Sequence, residues 1–174
     1  MKDKLNAFAL YLFVTFFIVS CSETEYYIPK PPTYLKINFP NNATKIISDS
    51  ACGFSFTAPE YFSMQGVNPE NCNKDIKFDH LNGVINLSVI KMDTSLSAYV
   101  NYAIDKVEEH KIKANAIQDT NFINHEHKTY GTFFELKGNV ATPFQFYFTD
   151  STSRFISGVV YFNTRPNYDS IRPV

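Results

Sequence analysis

TYGTFFELKGNVATPFQFYFTDSTSRFISGVVYFN, residues 129–163, decides the fold. It holds three runs rich in aromatic and β-branched residues, broken by Gly138-Asn139 and Thr142-Pro143, then by Asp150-Ser151-Thr152-Ser153. Phe and Val at this density fit a pleated surface better than a helix. The last two runs are expected to pair as an antiparallel hairpin. With a side-chain period of two, Phe144, Phe146 and Phe148 share a face. In the next strand Phe155, Val159 and Tyr161 point one way and Ile156, Val160 and Phe162 the other. Apolar residues on both faces imply a sheet covered on both sides.

Upstream, Ala116–Asn124 reads as a strand and His125–Lys128 as the turn into the central block. Leu96–Lys113 reads as the one strong helix, with Ser95 as N-cap. Leu96, Tyr99, Val100, Ala103, Ile104 and Val107 recur at the spacing of one helical face. Ile76–Phe78, the turn Leu81-Asn82-Gly83 and Val84–Lys91 form a hairpin pattern in which Ile85, Leu87 and Val89 share a side. Leu35, Ile37 and Phe39 alternate as a first strand, and Phe54 and Phe56 as a second that Pro59 ends. Asn41–Ser50 and Glu60–Asn73 read as connections. The fold class is α+β: a central antiparallel sheet with a flanking helix or helices, in one domain over residues 34–174.

Residues 1–20 stand apart. Lys2 and Lys4 precede an apolar run, Leu5–Val19, which is short for a bilayer span. Ile18-Val19-Ser20-Cys21 resembles a bacterial lipobox, cleaved so that Cys21 becomes the N-terminus with a diacylglyceryl thioether and an N-acyl chain such as palmitate. Two or more acyl chains supply stable anchoring. An ordinary secretory signal with an incidental Cys21 is the alternative. Residues 21–33, with Ser22–Glu25 acidic and Pro29, Pro31 and Pro32 favouring extended backbone, form a tether.

The chain has three cysteines. With Cys21 assigned to lipid, Cys52 and Cys72 remain as an even pair in an oxidising compartment. A bridge would close a loop of about 20 residues and stabilise the fold by roughly 3 kcal/mol. Metal ligation by the pair is the alternative, although the C-x-x-C spacing of structural zinc sites is missing.

Chemistry is sparse elsewhere. His125 and His127 share a side if extended, with Glu126 between them, but no third metal ligand is evident. Asp150-Ser151 lacks a nucleophile elbow, and a turn role for Asp150 is the preferred reading. Six glycines form no phosphate loop. A formal charge of −1 without a basic patch argues against nucleic acid. No catalytic, cofactor or metal residue is assigned.

Asn139–Thr152, Gly158–Asn163 and Arg165–Val174, with Pro29-Lys30-Pro31, Cys52–Phe56 with Pro59, Asn82-Gly83 before Leu87-Ser88, and Lys113–Ile117, closely resemble the gliding motility lipoprotein GldD family of Bacteroidota. The resemblance implies a layout similar to PsbP-like domains, an α/β/α sandwich. It implies a non-enzymatic envelope lipoprotein of the gliding motility and type IX secretion apparatus, acting in assembly or stabilisation with other motility and secretion lipoproteins. Its attachment to the membrane is through the lipid anchor, facing the periplasm, with the outer membrane favoured over the inner. Only Cys21 and the pair Cys52 and Cys72 carry over as chemically defined positions. A periplasmic small-ligand-binding module is the alternative function, and a hydrolase using Ser151 the weakest. Relatives of this kind continue past Pro173-Val174 with an apolar helical tail. A chain truncated there is expected to leave one face of the last hairpin, around Ile156, Val160 and Phe162 or around Phe155 and Val159, under-covered.

Overall fold

A computed structural model describes residues 43–68 and 70–164. The expected strand at Leu35–Phe39, the lipobox with Cys21, the tether and the C-terminal segment from Arg165 lie outside them.

The element order is β1 (Thr44–Asp49), β2 (Phe54–Pro59), β3 (Ser63–Gly66), β4 (Lys74–Phe78), a 3-10 turn at Asp79–Leu81, β5 (Gly83–Lys91), α1 (Leu96–Glu108), β6 (Ala114–Asn124), β7 (Thr129–Gly138), β8 (Phe144–Thr149) and β9 (Arg154–Phe162). Two sheets result. β1 and β2 form an antiparallel hairpin, and the other seven strands form an antiparallel sheet in the order β3-β4-β5-β9-β8-β7-β6. The molecule is mainly β, with one α-helix among the described residues. It meets the α+β expectation in outline only.

The central block behaves as its pattern predicts. Each strand of the 129–163 stretch forms, and β8 pairs with β9 from Phe144↔Val160 to Thr149↔Phe155. β5 then pairs with β9 along its whole length, Gly83↔Phe162 to Lys91↔Arg154. Asn82 closes the preceding turn in left-handed backbone, φ 52° and ψ 41°, a conformation Asn tolerates. Its side-chain amide donates to the Asn163 carbonyl at 2.8 Å, and the Asn163 N–H donates to the Asn82 carbonyl at 2.7 Å. These bonds fasten the ends of β5 and β9.

The register sorts the sheet into two faces. One carries Phe134, Leu136, Gln145, Tyr147 and Phe155, and α1 covers it. Val107 of α1 is buried with Phe134, Leu136 and Val140. Tyr99 of α1 packs on Phe155 with ring centroids 5.5 Å apart, and Phe155 in turn stacks on Tyr147 at 5.4 Å. The buried polar side chains of this face are paired: Gln145 donates to Thr142 Oγ1 at 3.0 Å, Thr132 to the Tyr147 hydroxyl at 3.0 Å and Thr149 to the Arg154 carbonyl at 2.7 Å.

The opposite face carries Ile76, Ile85, Leu87, Phe146, Phe148, Ile156 and Val160. Glycines stand directly across from phenylalanines here: Gly158 from Phe146, Gly131 from Phe148 and Gly83 from Phe78. Each ring occupies the space a glycine Cβ would need. The aromatics thus lie down over bare backbone, which flattens the apolar surface.

Four local expectations need correction. Thr44–Asp49 is a strand, not a connection; Ile47 is buried and pairs with Phe56 of β2. Ser63–Gly66 is a short edge strand inside the expected loop. The helix stops at Glu108 rather than Lys113, because Lys111, Lys113 and Ala114 donate into tight turns onto Glu108 and His110. Ser95 has the extended backbone of an N-cap, but its hydroxyl pairs with that of Ser97 at 3.1 Å, and no cap bond forms.

The last hairpin is also better packed than expected. Phe155 and Val160 are buried, while Val159, Ile156 and Phe162 are half-buried. Tyr161 is the exposed apolar residue of the last hairpin, at 38%; the others of the large sheet lie on its β6 side, Ile123 at 62%, Phe122 at 44% and Phe133 at 37%.

Candidate functional site

Between the face opposite α1 and the β1–β2 hairpin lies a cleft of about 1000 Å³. Ile76, Ile85, Leu87, Phe146, Phe148 and Ile156 supply its floor, and Ile46, Phe54 and Phe56 the hairpin side. Its size is at the upper end of ligand pockets, and its walls are mostly apolar, as in such pockets. The hairpin is secured at its tip. Cys52, in the turn between β1 and β2, is disulfide-bonded to Cys72, which precedes β4. Lys74 of β4 pairs with Asp49 of β1 at 2.8 Å. The Lys74 ammonium and the Cys52 N–H hold the Asp49 carboxyl below the usual carboxylate range.

The rim carries the charge. Arg154 begins β9 and is half-buried. Its guanidinium packs against Gly53, whose φ is +71°, and takes the space a side chain there would fill. Asp150 organises the β8–β9 turn. Its carboxylate accepts from the N–H groups of Thr152, Ser153 and Arg154 at 2.9, 2.7 and 2.9 Å and from the Ser153 hydroxyl. Burial pushes this carboxyl up, but the Ser153 hydroxyl and the three N–H groups outweigh it and hold it well below the usual range. Ser151 sits in the same turn at φ 69° and its N–H donates to Thr149 Oγ1 at 3.0 Å. Asp150 and Ser151 therefore have turn roles. His127 and Lys128, from the β6–β7 turn, complete the rim.

His125 packs edge-on against Tyr130, with centroids 6.0 Å apart, and stays outside the cleft. Among the described residues no cluster of three or more His, Cys, Asp or Glu side chains is placed to hold a metal ion. No described helix is long and apolar enough to cross a membrane. Nothing in the sequence pattern announces the cleft itself. Its floor was legible as an apolar face, but the pattern carried no sign that a hairpin would stand against it.

The family model of the gliding motility lipoprotein GldD matches residues 24–174. The chain belongs to that family. Neither a search of curated proteins nor a search of solved structures returns a match. Membership in GldD gives the chain a place in the cell envelope as a lipid-anchored gliding motility lipoprotein. For this GldD member the cleft, its charged rim and the disulfide-fastened hairpin are the most developed site among the described residues.

Proposed function

We propose that this chain is a non-enzymatic envelope lipoprotein of the gliding motility and type IX secretion apparatus, acting in assembly or stabilisation. The family match over residues 24–174 carries the reading. On this reading residues 1–20 are removed as signal peptide, Cys21 takes the lipid, residues 21–33 form the tether and residues 34–174 the folded domain. The outer membrane, facing the periplasm, is the favoured location.

Strand β6 supports a docking role. Among the described residues it is an eleven-residue strand at the end of the sheet order, with most of its side chains exposed. It contains neither Pro nor Lys, and Asp119 is its only charge. Apart from a register shift at Ala114/Ala116, this edge carries few blocking devices, and such an edge is a template for an added strand. A second reading, small-ligand binding, is favoured by the apolar cleft and is compatible with the first. The test is crosslinking and pull-down from gliding cells. Recovery of other motility or secretion lipoproteins is expected; recovery of none under conditions that retain the anchored protein would reject an assembly role.

A further inference from the structure

We propose that the cleft binds one acyl chain whose anionic oxygen head group is held at the rim by Arg154. This goes beyond a docking role and does not depend on which partner the lipoprotein serves.

The walls select the tail. The floor is the face of an antiparallel sheet whose backbone donors and acceptors are committed to the β4–β5, β5–β9 and β8–β9 ladders. Such a face offers a ligand side chains rather than free backbone groups. A peptide laid across Ile85, Leu87, Phe146 and Ile156 would bury unpaired amides, each at a cost of about 1–3 kcal/mol. A hydrocarbon chain has no such groups and gains from each buried methylene. The phenylalanines lying flat over Gly158 and Gly131 keep the floor smooth. The volume of about 1000 Å³ leaves ample room for one long chain.

The rim selects the head. Among the described residues the Arg154 guanidinium makes no ion pair with a carboxylate. Asp150 is the near acid, but it accepts from the backbone N–H of Arg154, and its oxygens are engaged by that turn. Lys128 adds a second cation. Arg154 and Lys128 set two positive charges at the rim against the one negative charge of Asp150. Gly53 lets the guanidinium lie close to the backbone. A guanidinium fork matches a carboxylate or a phosphate. The shared chemistry is an acyl chain ending in an anionic oxygen group, from a free fatty acid or a single-chain phospholipid.

The test uses the full lipidated chain in phosphatidylcholine nanodiscs and a diazirine-bearing palmitic acid as photoprobe. Labelling is expected on the peptides bearing Phe54–Phe56 and Phe146–Ile156. Unlabelled palmitic acid or lysophosphatidic acid should compete, the better competitor identifying the head group, while hexadecanol should compete poorly. Arg154→Gln should lower labelling about tenfold, and Arg154→Lys, which keeps the charge but loses the fork, should fall between that variant and the parent. Labelling spread evenly over the surface, or competition by hexadecanol equal to that by palmitic acid, would overturn the proposal. The competition arm is read on the unmodified chain, so it holds even where Arg154→Gln fails to fold.

Discussion

The ring of Phe146 on β8 lies over Gly158 on β9, its direct cross-strand partner, and fills the space a Cβ would need. This pairing sets the height of the cleft floor. Gly158→Ala must push the ring toward the cleft or spread the strands. The expected cost is about 1–3 kcal/mol, read as a lower denaturation midpoint with the m-value unchanged. A midpoint equal to that of the parent would mean that the ring is free to move aside.

The bridge between Cys52 and Cys72 closes a loop of separation 20. Removing it should destabilise the protein by about 2–4 kcal/mol. The comparison is the thermal midpoint with and without reductant, beside the double variant Cys52→Ala, Cys72→Ala. Equal midpoints would show that the hairpin is held without the bridge. Non-reducing mass spectrometry should find the intact protein two hydrogens lighter than its reduced form.

Acid should loosen the same region. Asp49 and Asp150 both have folded-state pKa values below the unfolded ones. The stability they contribute is fully present above the unfolded value of about 3.9 and is lost as pH falls through the folded values. Asp150→Asn and Lys74→Met should each flatten the acid limb of the stability profile relative to the parent. Parallel acid limbs in parent and variants would remove these carboxylates from the account.

Strands β7 to β9 were legible because each is a dense run of aromatic and β-branched residues and Gly, Pro, Asp and Ser mark every gap. The hairpin of β4 and β5 was legible for the same reason, helped by Asn82-Gly83. β1 was not, since Ile46 and Ile47 are adjacent and their neighbours are polar, so no period of two shows. In β3, Ser-Met-Gln-Gly has one apolar residue; its pairing with β4 from Ser63↔Lys77 to Gly66↔Lys74 makes it a strand. The helix end was missed because no Gly or Pro follows Val107 until Gly131. The covering layer was harder still. Apolar residues such as Ile85 and Phe148 announce that a face is covered, but not whether a helix or a hairpin covers it. Arg154 looked like an ordinary strand residue, because its relation to Gly53 spans about a hundred positions of sequence and exists only in the folded chain.

Cys21 carries the anchor on the proposed reading. Cys21→Ser should leave an uncleaved precursor that incorporates no labelled palmitate. Normal labelling of that variant would place the lipid elsewhere. The soluble part should fold unchanged, with the same near-ultraviolet spectrum.

The central claim is that this lipoprotein docks onto other envelope components. The most direct measurement places a photocrosslinking amino acid at position 123, on the exposed end of β6, and at position 102, on the exposed side of α1. Irradiation is done in gliding cells, and adducts are identified by mass spectrometry. The account predicts a discrete adduct from position 123 to another motility or secretion protein, weaker at position 102 and lost with Cys21→Ser. No adduct at either position, or the same adducts from both and from the unanchored variant, would contradict it.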